Sequence, residues 1–265
     1  MIAVLAAALA AAFGGGGSPP MPEAREPPIA RLEAAVAPNR AVVRTARVTV
    51  GRSVEGRPIR AVARNGIGNA RGGEGGGPLV LAFGCIHGDE CAGIGALRRA
   101  ERGCPPYGDG LVLVRNLNPD GRAAGTRTNA DGVDLNRNFA SGWRPTGAPG
   151  DPQYSGPVPF SEPETRVARR LIRALRPDVT IWFHQEPARL VRAWGPSVPV
   201  AREYARLSGE PFFRLPWLAG TAPNWQNHRF AGTSSFVVEL PSGGPVHADR
   251  HGRAIFDLAG ELADG

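Results

Sequence analysis

The sequence predicts an α/β fold: a three-layer sandwich with a central mixed, mostly parallel twisted sheet and helices on both faces. Three observations carry this. The runs PLVLAF (78–83), DVTIWF (178–183) and SFVVEL (235–240) are nearly continuously apolar, as strands covered on both faces are. Amphipathic segments of helical length alternate with them. The 265 residues, 42% of them hydrophobic, suit one domain with a sizeable core.

The elements follow in order. Ala46–Val50 and Pro58–Ala63 are expected strands joined by the turn GRSVEGR, and a Gly-rich connector spans Gly66–Gly77. PLVLAF is the next strand. Asp89–Arg102 is an expected helix, with apolar Ala92, Ile94, Ala96 and Leu97, and Arg98, Arg99 and Arg102 near the end where the helix dipole favours cations. Leu111–Val114 is a strand. From Asn116 to about Phe160 no periodicity is strong, and an unstructured connection of that length inside a domain is usually functional. Ser161 is the expected N-cap of a helix reaching Leu175, with Glu162 and Glu164 in its first turn. DVTIWF and SFVVEL follow, and Arg253–Leu262 closes the chain as a helix.

The formal charge is +7, and all 31 basic residues are arginine. No basic-aromatic stripe or helix-turn-helix pattern accompanies this charge, so nucleic acid is not an expected partner. Coding bias in a GC-rich genome accounts for the arginine. A basic surface is compatible with an anionic polymer such as bacterial cell wall.

Ile2–Phe13 is an apolar run of 12 residues, in the signal-peptide range and too short for a stable membrane span. Ala10 and Ala12 suit a cleavage site, but a basic n-region is missing, and a disordered Ala/Gly arm is the alternative. The expected organisation is a signal peptide or arm over 1–24, a Pro/Ala-rich linker over 25–45 and a catalytic domain over 46–265. The expected location is secreted or envelope-associated, with the cytoplasm as alternative.

Three cysteines, Cys85, Cys91 and Cys104, exclude a full intrachain framework. A helix from 89 to 102 separates Cys91 from Cys104 by roughly 20 Å, beyond disulfide reach. Buried structural thiols are therefore the expectation.

Chemistry collects at strand ends, where open α/β sheets bind ligands. His87 and Glu90 follow PLVLAF, His184 ends DVTIWF, and Glu239 lies near the end of SFVVEL. Two histidines and a glutamate are a catalytic zinc set, with a position left open for water. A further glutamate then serves as general base. The loop segments NLNPDGR (116–122) and GTRTNADGVDLNRNF (125–139) add Arg127 and Arg137 as forks for carboxylates or an oxyanion. His247 and His251 fall outside these motifs and are expected on the surface.

HGDE, NPDG, GVDLNRNF, the FHQ at 183–185 and FVVELP together resemble the zinc metallocarboxypeptidase family, from about Val48 to Leu262. SGPVPFSEPETR (155–166) and NWQNHRFAGTSSFVVELP (224–241) resemble its bacterial branch of murein tripeptide amidases. The resemblance implies the zinc carboxypeptidase-like sandwich and one zinc ion per chain, held by His87, Glu90 and His184. It implies Glu239 as the base acting on zinc-bound water, Asn136 and Arg137 as the grip on the substrate carboxylate, and Arg127 as the group polarising the scissile carbonyl. A second arginine common in this stretch is replaced by Ala130 or a gap. The Tyr that digestive members carry before the catalytic Glu is absent, and Asn224, Trp225 and His228 are the candidates to line the pocket instead. Glu186 stands where a proline is common, either adding charge near the zinc or facing solvent.

The implied function is hydrolysis of the γ-D-Glu–meso-diaminopimelate bond of cell-wall peptides. The alternatives are a general carboxypeptidase, an N-acyl amino acid deacylase, and a non-catalytic binder of wall fragments. The expected partner is a peptide or cell-wall peptide; the oligomeric state is open.

Overall fold

The computed structural model describes residues 29–30, 45–64, 77–103 and 110–264. Cys104, the apolar N-terminal run and nearly all of the expected linker and the Gly-rich connector lie outside them. Eight strands form one sheet: β1 Thr45–Arg52, β2 Pro58–Arg64, β3 Leu79–Phe83, β4 Gly110–Val114, β5 Val179–Glu186, β6 Leu190–Ala193, β7 Phe212–Arg214 and β8 Ser234–Pro241. Their spatial order is β1-β2-β4-β3-β5-β8-β6-β7. The four central strands β4, β3, β5 and β8 run parallel, while β1, β2 and β6 add antiparallel pairings. The mixed sheet of the sequence reading is thus present.

The helices are α1 Gly93–Arg102, α2 Pro119–Ala124, α3 Pro163–Leu175, α4 Val198–Ser208, α5 Ala222–Arg229 and α6 Ala248–Asp264. The period of two along each strand divides the core into two layers. Leu79, Leu81, Phe83, Trp182 and Val237 pack with Val167, Leu171 and Ile172 of α3. Val80, Ala82, Ile181, Phe183 and Val238 pack on the other face with Leu97 of α1, Tyr204 of α4 and Ile255 of α6. Phe83 and Trp182 stack at 4.1 Å between ring centroids in the first layer. None of the described helices is long and apolar enough to cross a membrane.

Several local expectations are corrected. Helix α1 starts at Gly93, so Asp89 and Glu90 sit in a turn before it. That turn folds Cys91 back beside Cys85, with Cα atoms 4.6 Å apart, and the two form a disulfide instead of free thiols. Helix α3 has Glu162, not Ser161, at its N-cap, and the Ser161 hydroxyl donates to the Glu162 carboxylate. Helix α6 begins at Ala248 rather than Arg253, which carries His251 inside the protein. His251 is fully buried against the Tyr204 hydroxyl, 3.1 Å from Nδ1. Burial, then the charges of Arg250, His247 and Arg189, push its pKa down to about 4, so it is neutral.

The long segment after β4 is irregular yet ordered, because buried amides anchor it. Asn118 caps α2, accepting the Gly121 N–H at 2.9 Å. The Asn129 side chain accepts the Val133 N–H and donates to Glu162 and Glu164. Asn138 donates to the carbonyls of Ser155 and Val158 and accepts from the Thr165 hydroxyl. Each amide satisfies loop backbone that has no ladder of its own.

Candidate metal centre and cleft

His184 lies two residues beyond Trp182 on β5, and Glu239 two beyond Val237 on β8. The alternation that buries Trp182 and Val237 in one layer therefore brings both functional side chains out over that layer's C-terminal edge. His184 and Glu239 are register partners on the adjacent parallel strands. His87 and Glu90 arrive from the turn after β3, which neighbours β5 in the sheet and lies two positions from β8.

Close packing holds that turn. Gly88 presses against the backbone of Gly121 and Arg122, where a Cβ would collide. Its N–H donates to the Arg127 carbonyl at 3.3 Å, and the Leu117 N–H donates to the Cys85 carbonyl at 2.9 Å. The glycine is needed for this approach of two backbones. The NPDG motif works on the same junction. Asp120 accepts from the Ser53 hydroxyl at 2.7 Å and the Glu55 N–H at 3.0 Å, tying α2 to the β1–β2 turn.

Three donor atoms converge. Oε2 of Glu90 lies 2.9 Å from Nδ1 of His87 and 2.9 Å from Nδ1 of His184, and those nitrogens are 3.2 Å apart. His87 is 1% and His184 5% exposed. The other His87 nitrogen, Nε2, faces Asp134 at 2.9 Å, which orients the ring with Nδ1 toward the centre. Burial favours neutral His87, but the charge and hydrogen bond of Asp134, with Glu90, pull its pKa up. Burial would raise Glu90, yet the hydrogen bonds and charges of His184 and His87 hold it well below the usual carboxylate range. Asp134 is likewise held low by His87 and Arg127 against its burial.

Two nitrogens and a carboxylate oxygen, crowded together, match the donor chemistry of a three-ligand zinc site. A second observation fits the same group. Oε2 of Glu239 is buried with no hydrogen-bond partner, which leaves it free to accept from a group in the cleft. Burial pushes the Glu239 pKa up; His184 opposes this, and Glu186 and Glu90 add to it.

The remaining candidates separate into two groups. Asn136, Arg127 and Arg137 line the cleft with the donor set and Glu239. The Asn136 amide nitrogen stands 3.3 Å from His184 Nε2, and its oxygen accepts the Ala222 N–H. Arg137 donates to the Asn136 carbonyl at 2.9 Å. Arg127 donates to Glu90 at 2.6 Å and to Asp134 at 3.0 Å, so its fork is occupied by the carboxylates around the histidines. Asn224, Trp225 and His228 do not line the cleft. Trp225 is buried among Phe139, Phe160 and Phe230. Asn224 donates to the Ser141 carbonyl, and His228 is exposed, its ring turned to the Asn224 carbonyl. Helix α5 turns them away; Trp217, Leu218, Thr221 and Pro223, at and before its start, line the cleft in their place. Glu186 is exposed and also lines the cleft, so both readings of it hold.

Arg192 is a cleft residue that the sequence reading missed. The signal was present: in the short strand LVRA it is the one charged residue. The strand itself was too short to find.

The zinc carboxypeptidase family profile matches residues 109–241, half of the chain. Murein peptide amidase A of Vibrio campbellii is 31% identical over 219 residues, 75% of this chain and 79% of that protein. The chain belongs to the zinc carboxypeptidase family. Murein peptide amidase A of Escherichia coli K12 is 36% identical over 40% of this chain, and that match spans about half, 48%, of the relative's length. Among solved structures, a murein-tripeptide amidase of Escherichia coli O157 has a TM-score of 0.60 at 26% identity, over 88% of this chain and 95% of that one. Carboxypeptidase A of Helicoverpa armigera, at 19% identity and a TM-score of 0.70 over 83% of this chain and 68% of that one, shares the fold. The family description also names the metal that the donor set fits.

Proposed function

We propose that this protein hydrolyses the amide bond before a C-terminal residue, and that its substrate is a murein peptide cut between γ-D-glutamate and meso-diaminopimelate. One observation carries the reading: a His-Glu-His donor set, a buried and unpartnered Glu239 oxygen and the Arg137 guanidinium share one cleft. The murein relatives favour the wall peptide over an ordinary C-terminus.

His87, Glu90 and His184 would hold a zinc ion, which when bound would supply Lewis-acid chemistry to the attacking water and the scissile carbonyl. Asp134 keeps His87 in the ligating orientation. Arg137 and Asn136 orient the substrate by its free carboxylate. Glu239 takes a proton from the attacking water and delivers it to the departing amine. The acyl carbon gains hydroxyl and the nitrogen gains hydrogen, so the bond is exchanged for a carboxylic acid and an amine. Arg127 supports charge developing on the carbonyl oxygen once it leaves Glu90.

The apolar run Ile2–Phe13 of the sequence and the proposed wall substrate together favour action outside the cytoplasm. The test is release of meso-diaminopimelate from L-Ala-γ-D-Glu-meso-diaminopimelate by the zinc-loaded protein, beside ordinary peptides. Preferred cleavage of the tripeptide is the expected result. Faster release of C-terminal residues from ordinary peptides would replace this reading by a general carboxypeptidase.

A further inference from the structure

The cleft is lined by three arginines, Arg127, Arg137 and Arg192, and by three glutamates, Glu90, Glu186 and Glu239. Arg127 is spent on Glu90 and Asp134. Arg137 and Arg192 both line the cleft, and neither makes an ion pair within the described residues. Arg192 is the more unusual of the two. It lies on β6 opposite Val237, on the face that carries Glu239 two residues further along β8. Its Nε is buried without a hydrogen-bond partner. Its guanidinium stands 5.8 Å from the Trp217 ring centroid, and one terminal nitrogen is 3.5 Å from the Pro216 carbonyl. A guanidinium half-buried against an aromatic wall with a donor unmet gains from a ligand anion that completes it.

We propose that Arg192 is a specificity-determining residue that binds a second carboxylate, at the far end of the departing residue's side chain, while Arg137 binds that residue's α-carboxylate. The ligand class is an amino acid with two acidic ends, such as a diaminodicarboxylate or an α-amino dicarboxylate. The inference rests on the peptidase reading of the cleft and deepens it. It gives a ligand carboxylate to each of two guanidinium groups that make no ion pair among the described residues and share the cavity with Glu186 and Glu239. It also assigns substrate selection to β6, outside the segment from Asn224 to His228.

The experiment uses two substrate pairs and the zinc-loaded full chain. One pair is L-Ala-γ-D-Glu-meso-diaminopimelate with its distal carboxylate free or converted to the carboxamide. The other has an ordinary peptide bond, an N-acyl dipeptide ending in 2-aminoadipate or in its side-chain amide. The readout is the ratio of kcat/KM for acid over amide. The wild type is expected to prefer the acid about 10- to 100-fold, the value of a charged hydrogen bond in a partly dry site. Arg192→Gln brings the ratio close to one, and Arg192→Lys keeps part of it. Partial misfolding lowers both rates and leaves the ratio, so the ratio reports recognition. Equal cleavage of acid and amide by the wild type, or a ratio unchanged in Arg192→Gln, overturns the proposal. Discrimination only in the ordinary-bond pair, with the γ-glutamyl pair uncut, upholds Arg192 and removes the murein reading. Cleavage of the γ-glutamyl pair without discrimination does the reverse.

Discussion

Asp134 faces one ring nitrogen of His87 at 2.9 Å, while the other nitrogen meets Glu90 at the same distance. The imidazole is thus clamped between a carboxylate that orients it and the centre it serves. Replacing Asp134 by Asn retains a hydrogen-bond acceptor and removes the charge. Zinc affinity is expected to fall about 10- to 100-fold, as for other partners of metal-binding histidines. Competition against a calibrated chelator measures this. Unchanged affinity would mean that Asp134 serves only the loop, through the Asn136 N–H it accepts at 2.9 Å.

Glu239→Gln should bind zinc normally and lose about three or more orders of magnitude in kcat, because both the base and its transition-state support go. Metal content and turnover on the tripeptide, from one preparation, separate the two effects. Full turnover would leave Glu239 without the role of base.

Cys85 and Cys91 bracket both ligands of the His87–Glu90 turn. Closing so short a loop is worth about 2 kcal/mol in the chain-entropy account. Reduction is expected to lower thermal stability by roughly that amount. The check is thermal melting with and without reductant, alongside alkylation of the unreduced protein. Alkylation of both residues before reduction would remove the bridge from the account.

Gly88→Ala places a Cβ into the backbone of Gly121 and Arg122, which has no side chain to yield. The turn must move, and with it His87 and Glu90. Loss of zinc binding or of soluble protein is expected, whereas Gly56→Ala meets no atom within 4 Å and pays only for its positive φ. Zinc titration of the two variants compares them.

Glu164 is fully buried, accepting from the Val54 N–H and the Asn129 amide. Burial raises its pKa to about 7 from the ordinary 4.5; these hydrogen bonds oppose the rise and the Glu162 charge assists it. The folded protein therefore holds this proton more tightly than the unfolded chain does. The contribution to stability is complete below about pH 4.5 and is lost as the pH rises through about 7, on the order of 3 kcal/mol. Glu164→Gln should flatten stability between pH 5 and 8 in denaturant melts; an unaltered slope would place that pH dependence elsewhere.

Some of this was readable because it is local. Apolar runs without alternation announce doubly covered strands, and PLVLAF, DVTIWF and SFVVEL are β3, β5 and β8. Residues two positions past a buried one share its face, so His184 and Glu239 could be placed at strand ends. Other features depend on contacts distant in sequence. The two-donor geometry of His87 needs Asp134, 47 residues away. The pairing of Cys85 with Cys91 needed the late start of α1, since a helix from 89 would have carried Cys91 away. His251 read as surface because its partner Tyr204 lies 47 residues earlier on another helix.

By itself the sequence determined the fold class and picked out His87, Glu90, His184 and Glu239 at strand ends, since these rest on pattern along the chain and on residue types with little alternative use. Only the tertiary structure decided which residues face the ligand. Trp225 went to the core, Asn224 to the Ser141 carbonyl, and Arg192, on a strand of four residues, to the cleft. The physical reason is that a strand's period is written in its own residues, whereas a cavity is the space left among elements that meet from far apart in the chain.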